Sequence, residues 1–204
     1  QTPLEFEADL CMSLESINKA CGVWPTSYRA PGFSIGKTNL WAFDVLVKNG
    51  ITEDCSVFPA RRAHGGLKEF PVDQPCLINS YDGLELLCFP MTTGSFLGTR
   101  FVFSGGGYFR FIPHFLLSNL FEYNDYVMTY FHPRDFDPDQ PKLHGLSALR
   151  RFKSYYGLKS AKQKLDMILT NFQFCDLRTA ILNLDRTLLP SLELKREGKI
   201  VVCT

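Results

Sequence analysis

Two short segments of the chain place a chemically active side chain next to a proline. In residues 28–34, YRAPGFS, Arg29 stands two positions before Pro31, and in residues 129–137, TYFHPRDFD, His132 directly precedes a proline. Proline fixes φ and has no N–H group, so it ends strand pairing and sets the direction of the side chain before it. Both segments therefore predict loops that present polar groups at strand ends.

Arg29 and His132 each have a chemical and a structural interpretation. A guanidinium orients a carboxylate through parallel N–H donors, whereas an arginine at a strand end is often an ordinary surface residue. An imidazole with a pKa near ~6.5 suits acid–base catalysis near neutral pH. The structural alternative for His132 is a cap that hydrogen-bonds Asp135 or Asp137. The residues alone leave both interpretations open.

Aromatic residues are frequent near the two bends. The chain has 18 phenylalanines and 8 tyrosines. Aromatic rings beside polar groups can stack on the C–H faces of a sugar, although packing in the core is the alternative for each ring. The residues concerned are Tyr28, Phe33, Tyr108, Phe109, Tyr130 and Phe131.

The sequence contains no local motif for a metal or a nucleotide. His64, His114 and His144 fall in separate segments, and neither HxxxH nor HExxH occurs, so no metal ligand is predicted from spacing. The run SGGGYFR lacks the Lys-Ser/Thr pair of a P-loop and is more typical of a turn.

The composition indicates a globular chain with almost no net charge. Of 204 residues, 45% are hydrophobic, and 22 lysines and arginines oppose 21 acidic residues. One substantial core is therefore expected, with no long-range attraction to nucleic acid or anionic lipid. No apolar run of about 18 residues predicts a membrane span. Seven scattered cysteines without a CxxC pair indicate free thiols in a reducing compartment, so a cytoplasmic location is expected.

The first segment predicts a well-capped helix over residues 3–21. Thr2 is a suitable N-cap, Pro3 suits the first turn, Glu5 completes a capping box, and Gly22 suits the end. The next helix and strands alternate, which favours parallel pairing. The other predicted strands are 23–29, 55–59, 84–90 and 125–133, with 195–204 either a strand or loose, and the other predicted helices are 40–47, 113–123, 146–156 and 161–172.

Four segments together resemble the polysaccharide deacetylase family of NodB-like carbohydrate esterases. The similarity is to the branch with a C-terminal extension found near bacterial exopolysaccharide genes. It implies an α/β fold, namely an incomplete, deformed (β/α) barrel over residues 1–140, with a helical C-terminal extension over residues 141–204 packed on it. The segments are 27–59, 105–117, 126–141 and 149–174.

The resemblance also implies a function. Members of the family use a divalent metal, usually zinc, to hydrolyse N-acetyl groups of amino-sugar polysaccharides. By this resemblance Arg29 orients the aspartate base, the N–H of Gly32 stabilises the oxyanion, and His132 is the general acid. Tyr130 takes the place of the residue that lines the acetyl pocket, and Phe33 and Tyr108 are assigned to substrate binding.

Two family motifs are absent from the chain. A Thr-Phe-Asp-Asp strand supplies the base and one metal ligand in the family, and His-Ser/Thr-x-x-His supplies two more. Without them we expect no metal to bind to this chain alone, Arg29 to have no partner, and the chain alone to be inactive. The expected partner is a missing N-terminal segment or a second chain. The alternative is a non-catalytic glycan-binding or assembly protein derived from the family.

Overall fold

The computed structural model describes residues 1–61, 65–195 and 199–203. The chain divides into two compact units, the first formed by Gln1–Met91 with Asp185–Thr204 and the second by Thr92–Leu184. His64, whose spacing in the sequence predicts no metal ligand, lies outside the described residues. The resemblance to the deacetylase family predicts a boundary after residue 140, between a barrel and a C-terminal extension. The division into two units does not test that boundary, which stays a prediction.

The first unit opens with the predicted helix, α1, at Pro3–Cys21. The Thr2 side chain accepts from the backbone N–H of Glu5, and the Glu5 carboxylate accepts from the N–H of Thr2, so the predicted capping box is confirmed. Gly22 has a φ of 72° and closes the helix in the left-handed conformation that glycine tolerates.

A six-stranded sheet forms the centre of the first unit. The order of its strands is β1-β2-β4-β3-β7-β8. Strands β1, β2 and β4 run parallel to one another, and β3 runs parallel to β7. The antiparallel pairs are β3 with β4 and β7 with β8. A mixed α/β fold with mostly parallel pairing is thus confirmed, and the barrel stays a prediction. The strands are Ser27–Tyr28, Glu53–Asp54, Cys76–Asn79, Glu85–Cys88, Ser191–Lys195 and Lys199–Val202 for β1, β2, β3, β4, β7 and β8.

Helix α2, Trp41–Lys48, covers this sheet with Phe43 and Leu46, which are almost fully buried. They share one apolar cluster with Ile78 of β3 and Leu86 of β4. Burial of such side chains stabilises the fold by roughly 1.5–3 kcal/mol each.

Two strand predictions in this unit need correction. The strand predicted at 55–59 is observed at Glu53–Asp54, where two acidic residues mask the strand character of the sequence. Strand β3 lies just after a loop rich in proline and glycine and was not predicted. Three of its four residues are buried, so it lacks the alternation that marks a half-exposed strand. The tail does form a strand, β8.

The second unit combines one hairpin with five helices in the described part of the chain. The hairpin pairs β5, Thr93–Phe96, with β6, Thr99–Val102. Its core contains Phe103, Phe109, Leu117, Phe121 and Ile168. The helices are α3 at Gly106–Phe111, α4 at His114–Glu122, α5 at Ala148–Tyr155, α6 at Leu158–Asn171 and α7 at Leu177–Asn183.

The buried central strand predicted before His132 is wrong. Residues 126–131 are half-buried, and their ladder contact is one isolated parallel bridge between Gly105 and Tyr130. Side-chain hydroxyls take over much of the pairing: the Met128 N–H donates to Thr92 Oγ1, and Ser104 Oγ donates to the Met128 carbonyl. The segment satisfies its polar groups locally and does not need a neighbouring strand.

Among the described residues, no helix has both the length and the apolar character needed to cross a membrane.

Candidate functional site

Polar groups meet where three parallel strands of the first unit end. Arg29 follows β1, Asp54 is the last residue of β2, and Cys88 is the last residue of β4. Because these strands are parallel neighbours, their carboxyl ends lie at the same edge of the sheet. Ligand sites of α/β folds are characteristically built at this edge.

Asp54 is the centre of this group. Its side chain is fully buried and accepts two hydrogen bonds from Ser56, one from the hydroxyl to Oδ1 at 2.5 Å and one from the backbone N–H to Oδ2 at 2.8 Å. The Ala30 N–H donates to Ser56 Oγ at 2.8 Å. Ser56 therefore connects the loop after β1 to the buried carboxyl group.

The environment shifts the protonation of this group. Burial raises the pKa of Asp54 to about 7, against the opposing effects of the Ser56 hydrogen bonds and the positive charge of Arg29. Burial, with the nearby Asp54, also raises the pKa of the Cys55 thiol to about 11. Asp54 can therefore gain or lose a proton near neutral pH, whereas Cys55 stays a thiol.

Arg29 has partners within the first unit, so the expectation that it has none is wrong. It hydrogen-bonds the Cys55 side chain and lies close enough to Asp54 to lower that carboxyl group's pKa. Its guanidinium carbon lies 5.9 Å from the ring centroid of Phe33, a cation–π contact. Arg29 is itself exposed. Its head group is thus oriented by neighbours and still reachable from solvent.

Gly32 and Phe33 form a strained bend directly after Arg29. Their φ angles are 63° and 54°, and a positive φ is costly for a phenylalanine. The ring of Phe33 is buried and lies 5.2 Å from that of Phe58. The Gly66 N–H donates to the Phe33 carbonyl at 3.0 Å. These contacts hold the bend and give Phe33 a supporting position beneath Arg29.

His132 lies in the second unit and is exposed. Its backbone N–H donates to Asp135 Oδ2 at 3.0 Å, so the capping contact with Asp135 proposed as the structural alternative is present and involves the backbone. Asp135 is buried, and its Oδ1 lies 3.5 Å from Nε of the buried Arg110. The loop that carries His132 is thereby attached to a buried ion pair.

Arg110 joins that ion pair to the end of helix α5. Its guanidinium donates to the carbonyl groups of Lys153, Ser154 and Tyr156 at 3.1, 3.1 and 3.0 Å. Lys164, also buried, donates from Nζ to the carbonyls of Arg110 and Ile112. Burial lowers the pKa of both cations. No pattern in the sequence predicted this network.

Tyr130 and Tyr108 occupy different surroundings in the second unit. A Cβ on Gly105 would meet the Tyr130 carbonyl at 2.0 Å, and one on Gly106 would meet the Tyr130 hydroxyl at 2.9 Å. Gly105 and Gly106 of the SGGGYFR run are therefore needed for close approach by Tyr130. Tyr108 is 51% exposed, and its ring lies 6.0 Å from that of Phe101.

The structure brings together three of the six predicted site residues. Arg29, Gly32 and Phe33 share one bend of the first unit, whereas Tyr108, Tyr130 and His132 belong to the second. A cleft common to Arg29 and His132 stays a prediction. Asp54 was missed although Asp54-x-Ser56 is the spacing of a turn in which a carboxylate accepts an N–H two residues on.

The described residues do not fit the zinc site that the resemblance implies. Within the ranges 1–61, 65–195 and 199–203, no group of three histidine, cysteine or acidic side chains is placed to hold a metal ion. The positive charge of Arg29 acts on the buried Asp54 carboxyl group and lowers its pKa, an arrangement that suits the positioning of another residue.

Comparison with known proteins gives one match. Residues 55–182 match the model of a family described as a domain of unknown function, DUF3473. No curated protein and no solved structure matches the chain.

Proposed function

The chain belongs to the DUF3473 family, a domain known as polysaccharide deacetylase-associated, and from this premise we propose that it is the C-terminal portion of a metal-dependent polysaccharide deacetylase. The proposed reaction is the hydrolysis of N-acetyl groups of amino-sugar polymers. The observation that carries the proposal is the family match, which spans more than half of the chain. The base and the metal ligands are proposed to come from a segment other than residues 1–204.

The group at the strand ends supports a positioning role for Arg29. Asp54, Cys55 and Phe33 hold its guanidinium while leaving the residue exposed. We assign to Arg29 the orientation of a carboxylate base supplied by the other segment, because a planar guanidinium restricts the orientation of a carboxylate. The N–H of Gly32 is the proposed oxyanion donor.

His132 is the proposed general acid that protonates the leaving amine. Support comes from its exposed side chain at a loop whose backbone is held by the buried Asp135. A general acid contributes about 100- to 10,000-fold to the rate when it is held in position. Tyr130, Phe33 and Tyr108 stay proposed substrate-binding residues.

The proposal is tested by acetate release from an N-acetylglucosamine oligomer. The chain is produced with the segment encoded immediately upstream, in zinc-containing buffer, and compared with the chain alone, which we expect to be inactive. We expect His132→Gln to lower the rate about 100-fold or more, and Arg29→Gln to lower it strongly with little change in KM. His144→Gln and Arg61→Gln, at exposed positions in the same units, are the matched controls.

Two results would contradict the proposal. The first is acetate release that does not depend on Arg29 and His132. The second is the absence of acetate release when the upstream segment supplies an Asp-Asp strand and an HxxxH motif.

Non-catalytic glycan binding is the second candidate. It is favoured by the half-exposed aromatic rings of the second unit, among them Tyr108, since such rings offer flat surfaces to sugars. This candidate predicts that the chain alone, without metal, binds an N-acetylated oligosaccharide.

A further inference from the structure

Three aromatic rings form a half-exposed cluster on the second unit. Phe111, Phe152 and Tyr156 are 54%, 44% and 50% exposed. Their ring centroids lie 5.7 Å apart for Phe111 and Phe152, 5.4 Å for Phe111 and Tyr156, and 4.7 Å for Phe152 and Tyr156. These three residues, called the aromatic face below, keep about half of their surface in water although they contact one another.

The buried ionic network holds the aromatic face in place. Arg110, which immediately precedes Phe111, donates to the backbone carbonyls of Lys153, Ser154 and Tyr156. A Cβ on Gly157 would lie 2.7 Å from the Arg110 carbonyl, so the backbones after Tyr156 and at Arg110 are in close approach. A surface held in this way loses little conformational entropy when a ligand binds.

The segment that carries Phe152 and Tyr156 of the aromatic face is rich in positive charge. Residues 140–165 contain seven lysines and arginines and no aspartate or glutamate. Arg150 and Lys153 are exposed and stand three residues apart on α5, so they are neighbours on the helix surface, and Lys153 in turn stands three residues before Tyr156 of the aromatic face. In the part of the chain that the structure describes, neither takes part in an ion pair.

The two units differ in charge, which the near-neutral total conceals. Residues 92–184 carry eleven lysines and arginines against seven acidic residues, so the second unit has an excess of positive charge. The excess lies in the stretch that contains α5 and α6. A charged ligand therefore meets a local field that the whole-chain net charge of +1 does not indicate.

We propose that the aromatic face, together with Arg150 and Lys153, binds an acidic polysaccharide, one that carries carboxylate groups on its sugars. The C–H face of a pyranose can stack on the rings, and the guanidinium and ammonium groups pair with the carboxylates. The inference rests on the proposed function for the polysaccharide nature of the partner. The acidic class follows from the charge of this surface.

The local charge distinguishes this partner from a neutral glycan. A neutral sugar would gain no charge pairing from Arg150 and Lys153. The ring planes of Phe152 and Tyr156 are inclined to each other by 36°, less than either is to Phe111, so these two rings offer a surface on which the C–H face of a sugar can lie. An anionic membrane is therefore treated as the competing outcome of the test.

The test measures binding of a hyaluronan octasaccharide, which alternates glucuronic acid with N-acetylglucosamine, to the whole chain by isothermal titration calorimetry. We expect Arg150→Gln/Lys153→Gln to weaken binding about tenfold at low salt, and Phe152→Ala to weaken it about fivefold. Raising the salt from about 0.05 to about 0.5 M should weaken wild-type binding, because the contacts between charged groups are exposed.

Matched controls change the same chemistry elsewhere. Lys19→Gln/Lys37→Gln removes two exposed cations of the first unit, and Tyr123→Ala removes a ring that is 83% exposed; neither should change the affinity. The charge variant alters exposed positions only, so it tests the surface even if Phe152→Ala folds poorly.

Three outcomes would overturn the inference. They are absence of hyaluronan binding, equal binding of a neutral N-acetylglucosamine oligomer of the same length, or binding only to phosphatidylglycerol vesicles with loss in the same variants. Acetate release that still depends on Arg29 and His132 in any of these cases would leave the proposed function standing. Loss of that dependence together with intact hyaluronan binding would contradict only the proposed function.

Discussion

At the scale of single residues, the most informative group is the buried carboxyl of Asp54. It lies between the Ser56 donors, which favour its ionised form, and an apolar environment that disfavours it. The exposed Arg29 provides only part of the balancing charge. The energetic result is that the ionised form of Asp54 is tolerated at some cost to folding.

This balance predicts a pH dependence of stability. The folded pKa of about 7 lies above the ordinary value of 3.8, so the folded state holds a proton that the unfolded state has already released. The contribution of Asp54 to stability therefore falls as the pH rises from about 4 to about 7, by up to roughly 4 kcal/mol. Asp54→Asn, which cannot ionise, should lack this fall.

Urea unfolding of the two proteins between pH 5 and pH 8 measures this difference. Asp54→Asn loses one acceptor for Ser56 and should be less stable than the wild type at pH 5. The difference in the free energy of unfolding between the two proteins should be smaller at pH 8, because only the wild type loses stability as the pH rises. The exposed Asp125→Asn is the control and should run parallel to the wild type. A difference in the free energy of unfolding that does not change with pH would show that Asp54 is ionised throughout this pH range.

The cysteines predict a second residue-level pattern. The described cysteines are all free thiols; Cys55 and Cys88 are buried with raised pKa values, mainly through burial, whereas Cys21 and Cys175 are exposed. Because the thiolate is the reactive form, iodoacetamide at pH 8 should modify the exposed pair in the folded chain and the buried pair only after unfolding. Peptide mass spectrometry measures this, and modification of Cys88 as fast as Cys21 would contradict it.

At the scale of elements, the start of helix α3 depends on a close approach of two backbone segments. Gly105 lies against Tyr130, whose backbone bridges to it. The run SGGGYFR therefore serves as packing surface for the segment that leads to His132. This explains how that segment is held although it forms no strand.

Gly105→Ala should consequently destabilise the chain by roughly 3 kcal/mol or more, because its Cβ would meet the Tyr130 carbonyl at 2.0 Å. Gly107→Ala is the matched control: its Cβ would meet nothing nearer than 3.9 Å, so alanine should be neutral or stabilising by about 1 kcal/mol within α3. Urea unfolding compares the two. Equal midpoints would show that the contact with Tyr130 relaxes without cost.

At the scale of the whole molecule, two units have separate apolar cores. One cluster includes Leu46 and Ile78 of the first unit, and the other includes Phe109 and Ile168 of the second. The network of Arg110, Asp135 and Lys164 belongs wholly to the second unit. A substitution in that network should therefore destabilise the second unit before the first.

Arg110→Met should destabilise the second unit by roughly 3–5 kcal/mol, since Asp135 would stay buried without its counter-charge. Hydrogen exchange should rise in α5 and α6 and stay unchanged in β3 and β4. Arg178→Met, at an exposed position of α7, is the control. The double variant Arg110→Met/Asp135→Asn should recover part of the loss, and equal acceleration of exchange in both units would contradict the assignment.

Much of the local structure could be predicted from the sequence. The capping box of Thr2 and Glu5, the end at Gly22 and parallel pairing in the first unit are confirmed, and the tail, which the sequence left open between a strand and a loose end, forms β8. The strand before His132 was predicted wrongly, because an apolar run indicates burial without saying whether a neighbouring strand is available. The roles assigned to Arg29, Gly32 and His132 stay predictions.

The amino-acid sequence by itself determined the features that depend on neighbours within a few positions, such as helix caps, the proline bends after Arg29 and His132, and the aromatic and basic residues of α5. Only the tertiary structure decided that the charge of Arg29 acts on Asp54 and that Arg110 pairs with Asp135. The reason is that desolvation and charge pairing depend on which distant segments of the chain come into contact, and the type of a single residue does not indicate those contacts.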